Sequence, residues 1–223
     1  MMMSKIRFVE KLEEENSNSE NIQDRKKKLR VYMKERRSQN ENRDVKEALL
    51  IENFFQWFMS EMGGACTRRR LFVYLSFSLE APTDLLIERL KEAGHEVYCP
   101  KIEKSGMQAV QCGEDFCLSH FGIREPIGKV LQGETDVIVL PLLAVDEKGN
   151  RLGYGKGYYD AYLHSHPLAK RVAYCYDFQI CKNVPAEAWD EKIDVIITDK
   201  RVIHVKIQEK NGENYNGGSK KED

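Results

Sequence analysis

The segment GNRLGYGKGYYDAYL, residues 149–163, sets Gly153, Gly155 and Gly157 at every second position. Arg151 stands before them, Lys156 among them, and Tyr158, Tyr159 and Asp160 directly after. Glycine tolerates positive φ and lets backbone N–H groups come close to an anion. A helix that follows adds N-terminal donors its own turns leave unpaired. An arginine fork and a lysine point charge complement phosphate oxygens. The chemistry suggested is polyphosphate binding. The spacing is that of neither standard nucleotide loop: Gly155-Lys156 is followed by glycine rather than Ser or Thr, and the last glycine of a G-x-G-x-x-G falls on Tyr158. A plain surface turn between a strand and a helix remains the alternative. Asp160, in the first turn of that helix, either complements the helix dipole or holds a Mg2+ that bridges phosphate oxygens.

Positioning such a loop requires a sheet. DVIVLP (136–141) reads as a buried strand before it, a helix starts near Tyr158, and KRVAYCY (170–176) reads as the next strand. Upstream, DRKKKLRVYMKERRS (24–38) and DVKEALLIENFFQWFMSE (44–61) read as helices, the second with Leu49, Leu50, Phe54, Trp57 and Phe58 at helical spacing. A strand over 69–77 follows, then a helix over 83–94 with Thr83 as cap and Gly94 as stop, then the strand HEVYCPKI. Residues 104–133 read as irregular. IDVIITDKRVIHV (193–205) reads as a strand turning back at Asp199-Lys200 into an antiparallel edge hairpin. Alternating strands and helices, with continuous Val/Ile/Leu runs in the strands, predict an α/β fold. We expect three αβα layers around a mostly parallel, Rossmann-like open sheet, with an N-terminal helical segment. In such sheets ligands bind beyond the carboxyl ends of the strands.

With 35 basic and 36 acidic residues among 223, the net charge of −1 offers no bulk attraction for nucleic acid or an anionic membrane. No apolar run is long enough to span a bilayer, and the N-terminal stretch has the pattern of neither a signal nor a transit peptide. A soluble, cytoplasmic, monomeric protein is expected. Cys66, Cys99, Cys112, Cys117, Cys175 and Cys181 are scattered as reduced thiols are, and no disulfide is assigned. Residues 1–22 and 207–223 are polar and biased in composition, so flexible ends are expected to flank one domain over 23–206.

The run LPLLAVDEKGNRLGYGKGYYDAYL (140–163) resembles the signature of the 5-formyltetrahydrofolate cyclo-ligase, or 5,10-methenyltetrahydrofolate synthetase, family. KKKLR (26–30), YLSFSLEAPTD (74–84), GIREP (122–126) and WDEKIDVIIT (189–198) resemble further family motifs in the same order. The resemblance implies ATP- and Mg2+-dependent conversion of 5-formyltetrahydrofolate to 5,10-methenyltetrahydrofolate through a phosphorylated formyl intermediate, with release of ADP and phosphate. It implies ATP contacts from Lys26, Arg30, Arg151, Gly153, Gly155, Lys156, Gly157 and Tyr158, with catalytic roles for Arg151, Lys156 and Tyr159. It implies folate contacts from Leu75, Glu80, Phe121, Tyr158 and Tyr159, and Mg2+ ligation by Asp160 and Asp194. Lys26 and Arg30 lie one turn apart on one helix face, so both could meet one anion, or else form a solvated basic face. Leu142 and Val145 depart from the glycine and phenylalanine common in the family, and Trp189-Asp190 stands where a His-Asp pair is common.

Other functions compete. A paralogue could keep the nucleotide loop yet bind its folate, or another small molecule, without this activity. A nucleic-acid module using DRKKKLR and TRRRLF would bind with steep salt dependence. Cys112, Cys117 and His120, or His164 and His166, lack paired zinc spacing, so no structural zinc is expected.

Overall fold

The computed structural model describes residues 21–63, 67–119 and 122–206. Both expected flexible ends lie outside these, except that Asn21 caps helix α1 (Ile22–Ser38) by accepting the Gln23 N–H at 3.0 Å. The chain continues through α2 (Arg43–Glu61), β1 (Arg70–Val73), α3 (Asp84–Glu92), β2 (Glu96–Glu103), β3 (Gly106–Gln111), β4 (Phe116–Leu118), β5 (Arg124–Pro126) and β6 (Val137–Leu140). It then passes β7 (Ala144–Asp146), β8 (Arg151–Leu152), α4 (Tyr158–Ser165), β9 (Lys170–Tyr174), β10 (Ile180–Cys181), β11 (Val195–Ile197) and β12 (Val202–His204).

The main sheet has the order β12-β11-β9-β6-β1-β2-β3, with the five inner strands parallel and both edges antiparallel. Alternation along each strand splits its apolar residues between two faces. Leu71 and Val73 join Leu50, Phe54, Phe58, Leu86 and Leu90 under α2 and α3, while Phe72, Ile138 and Ile196 join Tyr162 and Leu163 of α4. The three layers follow, as the sequence predicts. Helix α1 packs elsewhere: Leu29 and Met33 rest on Ala144, Leu152 and Cys181 of the small β10-β7-β8 sheet and on Leu143 just before it.

Two expectations need correction. The strand placed over 69–77 stops at Val73, because Thr83 turns the chain: its hydroxyl donates to the Tyr74 carbonyl at 2.7 Å and accepts the Ser76 N–H at 3.1 Å. Residues 104–133 are not irregular. They hold β3, turned back on β2 at Gly106 with φ 124°, and the β4–β5 ribbon.

Candidate functional site

From β1 the chain crosses via α3 to β2 on one side; from β6 it crosses via α4 to β9 on the other. The adjacent carboxyl ends of β1 and β6 therefore form the topological switch point, where open α/β sheets leave a crevice. The loop after β1 is closed on itself by Tyr74, whose hydroxyl donates to the Ala81 carbonyl at 2.6 Å. This closure turns Glu80 inward, 9 % exposed, with its carboxylate accepting the Phe77 N–H at 2.9 Å. Leu75 is buried in the core beneath the same loop.

After β6 comes a tight β7–β8 hairpin, held by the Asp146 carboxylate on the N–H groups of Lys148 and Asn150 at 3.0 Å each. It delivers Arg151, 8 % exposed, with one guanidinium nitrogen 3.4 Å from the Pro141 carbonyl and the other 2.7 Å from Asp160 Oδ1. Its Nε is buried without a hydrogen-bond partner, a donor left for a ligand. Gly155 and Gly157 have φ of 90° and 73°. At Gly155 a Cβ would come within 2.9 Å of Arg30 Nη2, so this glycine admits a guanidinium as well as an anion. Arg30 also donates from Nε to the Gly153 carbonyl at 3.0 Å. Gly157 begins α4 without a side-chain cap, leaving the first N–H groups of that helix open toward the loop. Lys156 is exposed and, among the described residues, makes no hydrogen bond or ion pair.

Helix α1 reaches both halves of the crevice, through Arg30 at the glycine loop and Arg37 at the loop after β1. Arg37, buried, donates to the Leu79 carbonyl at 2.9 Å and to the Tyr154 hydroxyl at 2.7 Å. That hydroxyl is also hydrogen-bonded to Glu80 and is pushed up to about 12, first by burial and then by the Glu80 charge. Burial raises the Glu80 carboxyl above its ordinary value, against the opposing pull of the Phe77 N–H, Tyr154 and Arg37. Tyr159 lies near the Phe72 ring, with the Arg151 guanidinium 5.9 Å from its own ring centre. Burial raises the pKa of its hydroxyl too, so it stays neutral and can donate a hydrogen bond.

The crevice thus gathers Arg30, Arg151, Gly153, Gly155, Lys156, Gly157, Tyr159, Asp160 and Glu80, while Tyr158 opens α4 with its side chain partly exposed and Leu75 is buried in the core. Two further expected members lie away from it. Lys26, 6 % exposed, is tied to Glu187 at 2.8 Å and Asp190 at 2.6 Å rather than facing an anion with Arg30. Burial pulls its ammonium down, but hydrogen bonds and charge from Asp190 and Glu187 outweigh this and hold it above the ordinary lysine value. Asp194 lies at the opposite, amino end of the sheet, where its carboxylate accepts the Arg171 N–H at 2.8 Å. Asp136 does the same for Arg70 at the start of β6, so Asp194 is a strand-start clamp remote from Asp160. Phe121 and His120 lie outside the described residues. Arg37 and Tyr154 were missed, although Arg37 continues the helical stripe from Lys26 and Arg30 and Tyr154 sits among the glycines.

Among the described residues no group of three His, Cys, Asp or Glu side chains could cage a metal. Asp160 stands in the first turn of the helix that follows the loop, paired with Arg151; one carboxylate suits Mg2+, which takes most of its remaining ligands from phosphates and water. The described cysteines, Cys99, Cys112, Cys117, Cys175 and Cys181, are free thiols. His164 meets Glu191, and His166 stacks on Tyr162. Leu142 and Val145 are buried in the core against α4, so those two departures affect packing more than the crevice lining. No helix among the described residues is long and apolar enough to cross a membrane.

The chain matches the model of the 5-formyltetrahydrofolate cyclo-ligase family over residues 21–199. It is 33 % identical over 141 residues to the 5-formyltetrahydrofolate cyclo-ligase of Escherichia coli K12, covering 58 % of this chain and 78 % of that one. To the cyclo-ligase of Mycolicibacterium smegmatis it is 33 % identical over 147 residues, covering 60 % and 76 %. It is similar to the NMR structure of Aquifex aeolicus 5,10-methenyltetrahydrofolate synthetase, with a TM-score of 0.69 and 25 % identity over 86 % of this chain and 99 % of that one.

Proposed function

The chain belongs to the 5-formyltetrahydrofolate cyclo-ligase family, and from that membership we propose that it converts 5-formyltetrahydrofolate and ATP to 5,10-methenyltetrahydrofolate, ADP and phosphate. The formyl oxygen on N5 is a poor leaving group. It attacks the γ-phosphorus, the bond to the ADP oxygen breaks, and the oxygen is now part of a phosphate ester. N10 then attacks the activated carbon, loses its proton, and phosphate departs with the former formyl oxygen. Such a transfer needs positioning and charge neutralisation more than covalent help from the protein.

The chain's own groups suit each task. Arg30, Arg151 with its unpartnered Nε, Lys156 and the open N–H groups of α4 receive phosphate oxygens. Mg2+ held by Asp160 and the phosphates would spread the negative charge that builds on the transferring group. Glu80, kept in place by the Phe77 N–H and Tyr154, offers two oxygens to neighbouring N–H donors of the pterin edge. Tyr158 and the neutral Tyr159 wall the junction between the two ligands. The observation that carries the proposal is the switch-point crevice itself, with a glycine loop beside Arg30 and Arg151 on one strand end and an inward carboxylate on the next.

The test is incubation with 5-formyltetrahydrofolate, ATP and Mg2+ while following methenyl absorbance. Product that requires all three supports the proposal. Folded protein that binds ATP and forms no product overturns it in favour of a binding paralogue.

A further inference from the structure

Helix α1 orders the crevice along its length. Arg37, beside Tyr154 and Glu80, marks the folate end. Arg30, against Gly153 and Gly155, lies about 10 Å back along the axis. Lys26 lies about 6 Å further in the same direction. A nucleoside triphosphate whose phosphates sit at Arg30 and whose γ-phosphate points to the folate must run its nucleoside toward Lys26. There the charge reverses: Lys26 is outnumbered by Glu187 and Asp190, and Glu187 N–H donates to Asp190 Oδ2 at 2.7 Å to complete the loop. A net negative knot repels phosphate, but its carboxylates can accept from ribose hydroxyls or an exocyclic amino group. Between those two acids in the chain stands Trp189, 72 % exposed, with no ring contact or hydrogen bond among the described residues.

We infer that Trp189 is the stacking platform for the nucleotide base, and that the Glu187–Lys26–Asp190 knot holds the loop which presents it. This rests on the phosphate-loop assignment above. The protein has two tryptophans, and the other, Trp57, is 3 % exposed in the core. Emission from an exposed indole therefore reports on Trp189.

Full-length wild type, Trp189→Phe and Trp189→Ala are titrated with ADP and, separately, with inorganic tripolyphosphate, by calorimetry and tryptophan emission. Loss of base stacking weakens binding by about tenfold, so ADP should bind Trp189→Ala about tenfold more weakly and Trp189→Phe nearly as well as wild type. ADP should quench wild-type emission and leave that of Trp189→Phe unchanged. Tripolyphosphate, which has no base, should bind all three alike. Tripolyphosphate bound with ADP affinity unchanged in Trp189→Ala overturns the stacking assignment alone. No binding of tripolyphosphate to wild type overturns the phosphate-loop assignment and this inference with it.

Discussion

Gly155 and Gly157 differ in what they tolerate, and the difference is testable. At Gly157 a Cβ meets nothing within 4 Å, so alanine there carries only the left-handed backbone cost of about 1 kcal/mol. At Gly155 the same backbone cost is joined by displacement of Arg30. Gly155→Ala should lower ADP affinity by tenfold or more, since a lost charge-assisted hydrogen bond alone is worth about 1.5–3 kcal/mol. Gly157→Ala should lower it less; calorimetry compares the two. The glycine spacing was legible in the sequence, but its use by Arg30 was not, because that contact joins residues more than 120 positions apart. Glu80 carries a second prediction. Its folded pKa lies above the ordinary 4.5, so the folded chain binds more protons there than the unfolded chain between those two values, and stability falls as pH rises through that window. Glu80→Gln removes this slope. The wild-type melting temperature minus that of the variant should become more negative from acid toward neutral pH and then level off, while folate binding by the variant weakens.

At the scale of elements, α1 is held to the small sheet by a few apolar side chains and to the 187–190 loop by the Lys26 ammonium and the Gln23 amide. Removing one partner of a buried ion pair leaves the others uncompensated. Lys26→Ala should therefore destabilise the protein by about 3 kcal/mol, seen as a lower denaturant midpoint. The central strands and the helices α2, α3 and α4 were readable because their apolar residues repeat with the period of their element. Strands β3, β4 and β5 were not, because half-exposed antiparallel strands of three to six residues carry little of that signal. Thr83 shows a subtler limit: it begins α3 as expected, yet its hydroxyl serves the β1 loop instead of capping the helix. Asp194 was drawn into the site by resemblance, whereas its carboxylate clamps a neighbouring strand.

Across the whole molecule, the two cores buttress one sheet, while α1 stands outside both. Elements with fewer buried apolar contacts open at lower free energy. In hydrogen exchange α1 should lose protection before β1, β6 and β9, and ADP should slow its exchange more than theirs; equal protection without ligand would contradict this. Of the basic runs that suggested a nucleic-acid module, Lys26 is paired with Glu187 and Asp190, Arg68 with Glu96 and Arg69 with Asp136, while Lys27 and Lys28 are exposed.

The Lys26 contacts span 161 and 164 residues. During synthesis, α1 emerges from the ribosome long before the acids that seat it have been translated. The earliest-made of the described helices is thus among the last to find its place, and a chain stalled before residue 187 leaves the tunnel with one end of its cleft unfastened.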